Sequence, residues 1–466
     1  FSKWPSQLGF AATRQPEIIK EFAEIAREEY LSVGLRTALH PMSDLATEPR
    51  WSRNFGTFGS NADLSSDFTI AYMDGFQGKK INSNSVLTMV KHFPGGGPQE
   101  EGFDPHLYSG QNQVYPGNNF EYHLKPFKRA INNNLKVIMP YYGIPVDQTS
   151  ENVAMAYNKD ILTHLLRDKL GYDGVICTDW GIITGRHWGV GDLTLRERYK
   201  KSIDAGVDQY GGESSPEYLV DLVKKNEISE DRINYSVKKI LINKFELGLF
   251  DNPFVDEKLV NKRVGTETFI KKGLTAQKKS IVLLKNQIDN NKEILPLKKN
   301  IKIFVDGFDK KEIKKYCEVT DNPEEADYVI IQLRTVFNGN QPSGLDRPID
   351  NFLSTIFPNN DLNYDDKILN KLKKYSLFSK LITVVDLNRP AILTEVEKLS
   401  HGLIGVFGVF DEIVLEVIFG DFSPIGKLPF DIPSSMKEVN EQFSDVPDDT
   451  KNPIFKYGHG LSYLKK

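Results

Sequence analysis

The sequence predicts an α/β fold made of parallel β/α units. Along the first half of the chain, short apolar runs typical of buried strands alternate with segments of helical periodicity. Five such strands precede residue 212, whereas a (β/α)8 TIM barrel needs eight strands and about 250 residues. We therefore expect a barrel of this type whose missing N-terminal strands precede Phe1.

The predicted elements follow one another in a regular order. The strands cover residues 35–39, 85–90, 136–139, 175–177 and 206–210. The helices cover residues 15–34, 63–77, 119–133, 158–170, 195–205, 216–225 and 229–245. Pro16 suits the first turn of its helix, and Ser229 opens the last one with a typical start pattern. Each strand is thus followed by a helix, which is the pattern of a parallel sheet.

A change of pattern near residue 253 indicates a domain boundary. The first domain is predicted to span residues 1–253, and residues 254–270 to form a linker. The second domain is predicted to span residues 271–466, and residues 267–285 to form a helix that runs from the linker into a short strand. Further strands are predicted at 302–305, 328–333, 381–385 and 402–407, with helices at 367–375 and 411–419. This second set is again α/β.

Composition excludes several classes of function. The chain has 466 residues, 39% hydrophobic and 26% charged, as in ordinary soluble proteins. Its formal net charge of −4 gives no reason to expect nucleic acid or an anionic membrane as a partner. No apolar run reaches the length of a membrane span, about 18 residues. No His or Cys spacing matches a metal site. We therefore predict no metal, no cofactor and no membrane span.

The segment 171–181 is the one around which the first domain is organised. Val175 to Cys177 form a short apolar run, and Asp179 and Trp180 follow where that strand should end. In a barrel, the C-terminal ends of strands carry the chemistry. Asp179 is therefore either a catalytic carboxylate or a strand-end cap. Trp180 offers a flat face for a sugar ring, or packs under a loop.

Other strand ends carry further polar residues. Lys91 and His92 end the second strand, and a long glycine-rich loop follows them to residue 117. Loops of this length are usually functional or disordered. In isolation, a Lys-His pair most often lies on the surface with both side chains in solvent. Two further carboxylates near strand ends, Asp44 and Asp208, are interpreted as structural or as lining the rim of a cleft.

Three motifs resemble those of glycoside hydrolase family 3. The strand ending in Thr-Asp179-Trp resembles the family's nucleophile segment, and Lys91-His92-Phe resembles its substrate-binding strand end. Gly458-His-Gly-Leu-Ser-Tyr463 resembles the close of its second domain. The motifs occur in the family's order and span nearly the whole chain. The resemblance implies a TIM barrel followed by an α/β sandwich domain.

The resemblance also implies roles for particular residues. Asp179 is expected to be the nucleophile. Tyr142 matches a tyrosine that the family places beside the nucleophile, with Tyr141 as the alternative. The other residues expected to contact the sugar are Arg53, Lys91 and His92 as hydrogen-bond donors, and Met139 and Trp180 as apolar walls. Arg53 has the alternative role of a salt-bridged loop residue.

The general acid stays open at this point. Many family members use a Glu in the second domain, near a Glu-Gly-x-Asp-Arg motif. The nearest match here, residues 342–347, has the Asp-Arg pair but no Glu. Asp346 or Asp361 would then have to substitute.

The β-N-acetylglucosaminidase branch of the family offers a second solution. It uses an Asp-x-His pair in the loop after Lys-His-Phe, and Asp104-Pro-His106 lies in that loop. An Asp that orients a His suits acid–base catalysis, because His titrates near neutrality. However, Pro replaces the Ser of that branch, and Trp180 replaces its usual Asp. His106 is otherwise an ordinary loop residue.

Together these observations predict a retaining, exo-acting β-glycosidase, with β-glucosidase as the first interpretation. It would act on an oligosaccharide or β-glycoside through a covalent glycosyl-Asp179 intermediate. The alternatives are a β-N-acetylglucosaminidase and a catalytically weak carbohydrate-binding homologue. We expect a periplasmic or extracellular location rather than a cytoplasmic one, and a homodimer is an open possibility.

Overall fold

The computed structural model of the protein describes residues 1–289 and 292–463. The strands of the first half are β1 (Thr37–Ala38), β2 (Leu87–Phe93), β3 (Asn112–Gln113), β4 (Val137–Pro140), β5 (Ile144–Pro145) and β6 (Val175–Ile176). β1, β2, β4 and β6 form one parallel sheet in that order, and β3 pairs with β5 separately. A parallel bridge between Cys177 and Gln209 extends the sheet at the fifth predicted strand.

These strands lie side by side in chain order, as in a TIM barrel. Within the described ranges they form an open arc rather than a closed ring. The inward side chains of alternate residues share one apolar cluster, in which Met89, Met139 and Cys177 are buried. The outward side chains, such as Val90 and Ile138, pack with the surrounding helices. The predicted barrel-type class is confirmed in this form.

Helices make up most of the rest of the first half, and several of them pack against the arc. They are α1 (Gln7–Thr13), α2 (Pro16–Ser32), α3 (Ala62–Gln77), α4 (Phe120–Asn132), a wide π-type helix (Asp160–Lys169), α5 (Leu195–Ala205), α6 (Glu217–Lys224), α7 (Glu230–Glu246) and α8 (Val260–Arg263). Short 3₁₀ turns cover Ser52–Gly56, Glu100–Gly102, Tyr108–Gly110, Met155–Tyr157 and Glu257–Leu259. The predicted helix at 158–170 is therefore present, but wound more widely than an α-helix.

Local sequence explains where several helices begin. Pro16 occupies the first turn of α2, where no backbone N–H is needed. Thr194 and Glu197 form a reciprocal capping box at the start of α5. Ser229 accepts a hydrogen bond from the backbone N–H of Arg232 at the start of α7. These caps satisfy backbone donors that the first turn leaves unpaired.

The second half contains a six-stranded sheet between two layers of helices. Its strands are β7 (Val282–Asn286), β10 (Lys302–Asp306), β11 (Glu318–Thr320), β12 (Tyr328–Leu333), β13 (Lys380–Asp386) and β14 (Gly402–Val406). The order is β11-β10-β12-β13-β14-β7, parallel throughout except for β7. Leu381 and Val385 of β13 pack into one core and Ile382 and Val384 into another. The α/β sandwich is confirmed.

The remaining elements of this half complete its layers. The helices are α9 (Glu267–Ser280), α10 (Lys310–Ile313), α11 (Pro348–Ser354), α12 (Asp366–Phe378), α13 (Thr394–Leu399), α14 (Asp411–Ile418) and α15 (Met436–Glu441), with a 3₁₀ turn at Pro323–Glu325. Two small antiparallel pairs join β8 (Ile288–Asp289) to β9 (Lys292–Glu293) and β15 (Ile432–Pro433) to β16 (Pro453–Phe455). None of the described helices is both long and apolar enough to span a bilayer.

Contacts between the two halves are extensive. Leu8 and Ala12 of α1 belong to the apolar core beneath the second sheet. The buried guanidinium of Arg389 donates to the carbonyl oxygen of Arg50 at 2.8 Å. The carboxylate of Asp445 accepts hydrogen bonds from the loop that precedes α4. The division at residues 253 and 270 stays a prediction, because these contacts cross it at several points.

Asp208 anchors the far end of the arc and supplies a stability prediction. Its buried carboxylate accepts from Arg167 at 2.6 Å, Ser236 at 2.6 Å and the backbone N–H of Ile176 at 2.9 Å. Asp208→Ala should lower the free energy of unfolding by about 3–5 kcal/mol, because it leaves the partly buried guanidinium of Arg167 without its counter-ion. Urea denaturation measures the change.

A matched control lies on the surface of α5. Asp204 pairs with Lys200 in solvent, so Asp204→Ala should cost less than about 1 kcal/mol. Equal effects of the two substitutions would contradict the structural role of Asp208.

Candidate active site

Polar residues converge at the C-terminal edge of the arc. Asp44 lies in the segment after β1, Lys91 and His92 end β2, Tyr142 follows β4, and Asp179 follows β6. Because the strands are parallel, these four ends meet on one side of the sheet. The sequence-predicted residues are therefore brought together, and their contacts define a candidate active site.

Asp44 and His92 form the buried base of the site. The carboxylate of Asp44 accepts from the backbone N–H groups of His92 at 3.1 Å and of Gly96 at 2.5 Å. Its Oδ2 lies 2.7 Å from Nδ1 of His92. Burial raises the pKa of Asp44 to about 6, although these N–H groups and Arg53 partly offset it. Above that pH the carboxylate is ionised and can only accept, so Nδ1 of His92 carries the proton.

His92 then presents an unprotonated nitrogen to the site. Burial, and then the charge of Arg53, lower the pKa of His92 well below its ordinary value, so the ring is neutral. Nη2 of Arg53 lies 3.3 Å from Nε2 of His92 and donates to it. The same Nε2 lies 3.6 Å from Oδ2 of Asp179. Asp44 thus fixes the tautomer that lets His92 accept from Arg53.

Arg53 is the central cation of the site. Its Nη1 donates to the hydroxyl of Tyr141 at 3.1 Å, and that hydroxyl donates to Oδ2 of Asp104 at 3.2 Å. Burial would lower the pKa of Arg53, but Tyr141, Asp104 and Asp179 outweigh it and raise the pKa above its ordinary value. The guanidinium therefore stays charged and neutralises the carboxylates around it.

Asp179 is held on one side only. The hydroxyl of Tyr142 lies 2.9 Å from Oδ1 of Asp179 and 2.7 Å from the carbonyl oxygen of Trp180, so two acceptors share one proton. The backbone N–H of Trp180 also donates to Oδ1 at 2.7 Å. Within the described part of the chain, Oδ2 makes no hydrogen bond. One carboxylate oxygen is thus oriented and the other is open to attack a substrate.

Asp104 and His106 form a second, tightly bonded pair. Nδ1 and the backbone N–H of His106 lie 2.6 and 3.0 Å from Oδ1 of Asp104. Nε1 of Trp51 donates to Oδ2 at 2.9 Å. Burial would raise the pKa of Asp104, but His106 and then Arg53 outweigh it and hold that pKa well below its usual range. The carboxylate is ionised, so Nδ1–H donates to it and Nε2 is left for another partner.

Tyr142 connects this pair with Asp179. The ring of His106 meets the ring of Tyr142 edge to face, with centroids 4.8 Å apart. The hydroxyl of the same tyrosine bonds Asp179. The guanidinium of Arg186 lies 5.7 Å from the Tyr142 ring centroid, and its Nε donates to the carbonyl oxygen of His106 at 3.4 Å. A carboxylate and an imidazole therefore flank one aromatic ring.

Lys91 supplies a further cation beside the carboxylates. Burial, and then the charge of Arg53, lower the pKa of Lys91 to about 8, while Asp179 and Asp44 act in the opposite direction. Among the described residues its ammonium group has no hydrogen-bond partner. It is therefore free to donate to a ligand in the same pocket.

Met139 and Trp180 differ in how they border the site. Met139 is buried in the apolar cluster inside the arc, beneath the polar residues. Trp180 is 42% exposed. Its ring packs so closely on Gly211 that a Cβ there would come within 2.6 Å of it. The predicted roles of both as walls for a sugar stay predictions.

The two carboxylates considered as alternative acids have other partners. Asp346 is exposed and lies 3.5 Å from the side-chain amide of Asn351. Asp361 accepts from the side chain of Asn338 and from the backbone and side chain of Asn363. Neither has a hydrogen bond to the cluster around Asp179, within the ranges that the structure covers.

Metal ligation has no support in this cluster. Across residues 1–289 and 292–463, no three His, Cys, Asp or Glu side chains are grouped as a metal ion requires.

Sequence reasoning missed two contributors to the site and gave two others only a secondary role. Asp44 was interpreted as structural or as lining the rim of a cleft, and Tyr141 was the alternative to Tyr142. Arg186 and Trp51 carried no assigned role. Their signal was weak because each acts through another side chain rather than through a motif. Strand-end position was the one available clue for Asp44 and Tyr141.

Comparison with known proteins supports the architecture. Residues 2–242 match the Glycosyl hydrolase family 3 N terminal domain, and residues 310–463 match the Glycosyl hydrolase family 3 C-terminal domain. The chain is 44% identical over 480 residues to Beta-glucosidase C of Emericella nidulans, covering 99% of this chain and 75% of that protein. It is 35% identical over 502 residues to the Periplasmic beta-glucosidase/beta-xylosidase of Dickeya chrysanthemi, covering 99% and 73%.

Solved structures show the same fold. A β-glucosidase from Listeria innocua in complex with isofagomine superimposes with a TM-score of 0.82 at 21% identity, covering 99% of this chain and 71% of that one. An exo-1,3/1,4-β-glucanase mutant from a Pseudoalteromonas species gives a TM-score of 0.81 at 22% identity, covering 99% and 79%. With the two domain matches and the close sequence relatives, this shows that the chain belongs to glycoside hydrolase family 3 and is a glycoside hydrolase.

Proposed function

We propose that the chain is a retaining, exo-acting β-glucosidase that forms a covalent intermediate on Asp179. The observation that carries the proposal is the pair of groups on either side of Tyr142. Asp179 has one open carboxylate oxygen, and His106 is oriented by an ionised Asp104. The relatives named as β-glucosidases support glucose as the sugar.

The proposed reaction has two displacement steps. In the first, Oδ2 of Asp179 attacks the anomeric carbon, the bond to the leaving oxygen breaks, and Nε2–H of His106 protonates that oxygen. In the second, water attacks the same carbon and gives its proton to Nε2, and the bond between the sugar and Asp179 breaks. Two inversions return the sugar to its original configuration.

The other cluster members bind the sugar in this proposal. Arg53, Lys91 and His92 line the pocket that holds Asp179, and they offer charged or polar groups to hydroxyls. A hydroxyl lost from the substrate would leave such a group buried and unpaired, which is how the site would select a terminal sugar. Cellotetraose should then release glucose from one end only.

The oriented Asp104–His106 pair also favours a second candidate, a β-N-acetylglucosaminidase. Turnover of nitrophenyl β-glucoside, β-xyloside and β-N-acetylglucosaminide compares the candidates directly. Glucoside should be the best substrate. A higher kcat/KM on the N-acetylglucosaminide would favour the second candidate, and inactivity on all three would favour a carbohydrate-binding homologue.

Location and assembly are further proposals. A location outside the cytoplasm is supported by the relative from Dickeya chrysanthemi, whose name places it in the periplasm. A homodimer stays a prediction, which sedimentation can test.

Replacing Asp179 tests the nucleophile. Asp179→Ala should lower kcat/KM on nitrophenyl β-glucoside by about a thousandfold or more, because no covalent route remains. Added azide should restore turnover and yield the α-glucosyl azide, as expected when an external anion replaces the carboxylate. Product configuration is read by NMR.

Asp173 provides the control for this experiment. It lies before the same strand, where it pairs with Lys239, and Asp173→Asn should retain near wild-type activity. A β-glucosyl azide from the Asp179 variant would argue against Asp179 as nucleophile.

Replacing His106 tests the acid. A general acid contributes about 10²–10⁴-fold when the leaving group is poor. His106→Ala should therefore lower kcat/KM on cellobiose and phenyl glucoside, but change it little on dinitrophenyl glucoside, whose leaving group needs no proton. Values of kcat/KM over a series of aryl glucosides measure this dependence, because kcat/KM reports the first step alone.

His164 is a matched control, because it bonds Asp160 at 2.8 Å on the surface. His164→Ala should leave the series unchanged. If His106→Ala also leaves it unchanged, the acid lies elsewhere, and Asp346 and Asp361 become the variants to examine.

The lowered pKa of Lys91 predicts how kcat/KM depends on pH. Its pKa is lowered to about 8, so the ammonium is present below that pH and lost above it. On dinitrophenyl glucoside, which does not report the acid, kcat/KM should fall as pH rises through about 8. In Lys91→Arg the charge does not titrate in this range, so the falling limb of the pH profile of kcat/KM should move to higher pH. Lys169→Arg, at an exposed lysine, should keep the wild-type limb, and an unmoved limb in Lys91→Arg would contradict the assignment.

A further inference from the structure

We propose that Gln341 and Phe357, both from the second half of the chain, are positioning residues for His106. The second domain would then control acid–base catalysis without supplying the acid itself. This inference rests on the proposed role of His106, and it concerns two residues that no sequence motif singles out.

Gln341 holds the backbone of Asp104 at two points. Its Oε1 accepts from the N–H of Asp104 at 2.8 Å, and its Nε2 donates to the carbonyl oxygen of Asp104 at 2.9 Å. Nε2 also lies 3.0 Å from the hydroxyl of Ser109. The side chain is only 1% exposed. One amide thus pairs both backbone groups of the residue that orients His106.

These bonds are needed because Asp104 lies in a buried loop. Its own carboxylate is already committed to His106, Trp51 and Tyr141. Its backbone N–H would otherwise be buried without a partner, which costs free energy. Its carbonyl oxygen would keep the backbone N–H of Leu107, at 3.2 Å, but would lose the amide of Gln341. Loss of Gln341 would let the loop shift to find other partners, and Asp104 would carry His106 with it.

Phe357 restricts the imidazole ring directly. Its ring stacks on His106 with centroids 5.2 Å apart and an interplanar angle of 27°. Tyr142 packs against the same imidazole edge to face. The carbonyl oxygen of Phe357 accepts from the backbone N–H of Gln341 at 2.7 Å. The two proposed residues therefore form one unit, and the imidazole lies between aromatic rings from both halves.

Further contacts keep the second-half segment against the first half. The backbone N–H of Tyr108 donates to the carbonyl oxygen of Ser343 at 3.1 Å. The hydroxyl of Ser109 donates to the carbonyl oxygen of Pro342 at 2.5 Å. Nη1 of Arg347 donates to the carbonyl oxygen of Gly185 at 2.9 Å, in the loop after Asp179. The segment thus touches the loops of both proposed catalytic groups.

The test measures how activity depends on the leaving group. Gln341→Ala should lower kcat/KM on phenyl glucoside and cellobiose by about tenfold or more, and on dinitrophenyl glucoside by less than about twofold. A misplaced acid produces this pattern, whereas a general loss of folded enzyme lowers all substrates equally. Phe357→Leu should also lower kcat/KM more on phenyl glucoside and cellobiose than on dinitrophenyl glucoside, but by a smaller factor.

Two controls match these variants. Gln442 is also a second-half glutamine that donates to a first-half backbone, at the carbonyl oxygen of Thr47, but away from His106. Phe352 is a largely exposed phenylalanine near Phe357 in sequence. Gln442→Ala and Phe352→Leu should both keep the wild-type leaving-group dependence.

The inference would be overturned if Gln341→Ala and Phe357→Leu lowered kcat/KM equally on all substrates, or did not lower it at all. If Gln341→Ala does not fold, Gln341→Glu, which has the same shape, takes its place. Its ionised form cannot donate a hydrogen bond to the carbonyl oxygen of Asp104, so the same comparison of kcat/KM between phenyl glucoside and dinitrophenyl glucoside applies. The proposed function is judged separately: it fails if the wild type turns over no glucoside or if His106→Ala leaves the series unchanged. If His106→Ala alters the dependence of kcat/KM on the leaving group and the Gln341 variant does not, only the inference is rejected and the proposed function stands.

Discussion

The buried guanidinium of Arg53 is the interaction on which the site depends. It contacts His92 and Tyr141 and lies in the field of Asp104 and Asp179. Burial alone would favour protonated carboxyl groups, because a charge loses its hydration inside a protein. The fixed positive charge of Arg53 opposes this effect at Asp44, and together with the larger effect of His106 it holds the pKa of Asp104 well below its usual range.

The two halves of the chain contribute different residues around this cation. The first half presents Asp179, His106 and the groups that we propose to bind the sugar, from strand ends and from the loop after β2. The second half contributes no carboxylate bonded to this cluster, among the residues described. It supplies Gln341 and Phe357, which pack against that loop. In this chain the second half therefore contacts the loop that carries Asp104 and His106.

Much of the fold follows from local sequence. The strands around β2, β4, β12 and β13 lie close to their predicted ranges, because continuous apolar runs identify buried parallel strands. β11 was missed, since an edge strand with one buried residue carries little pattern. The wide winding of the helix at Asp160–Lys169 was not predictable either, because hydrogen-bond register inside a helix leaves no clear periodic signal.

For the site, the sequence by itself determined which residues end the strands and which motifs they form. Asp179, the Lys91-His92 pair and the Asp104-x-His106 pair were all identified in this way. Only the tertiary structure decided what these groups touch: that Asp44 sets the tautomer of His92, and that Gln341 holds Asp104. The physical reason is distance along the chain. Hydrogen bonds between residues 48 or 237 positions apart depend on packing, which no local pattern encodes.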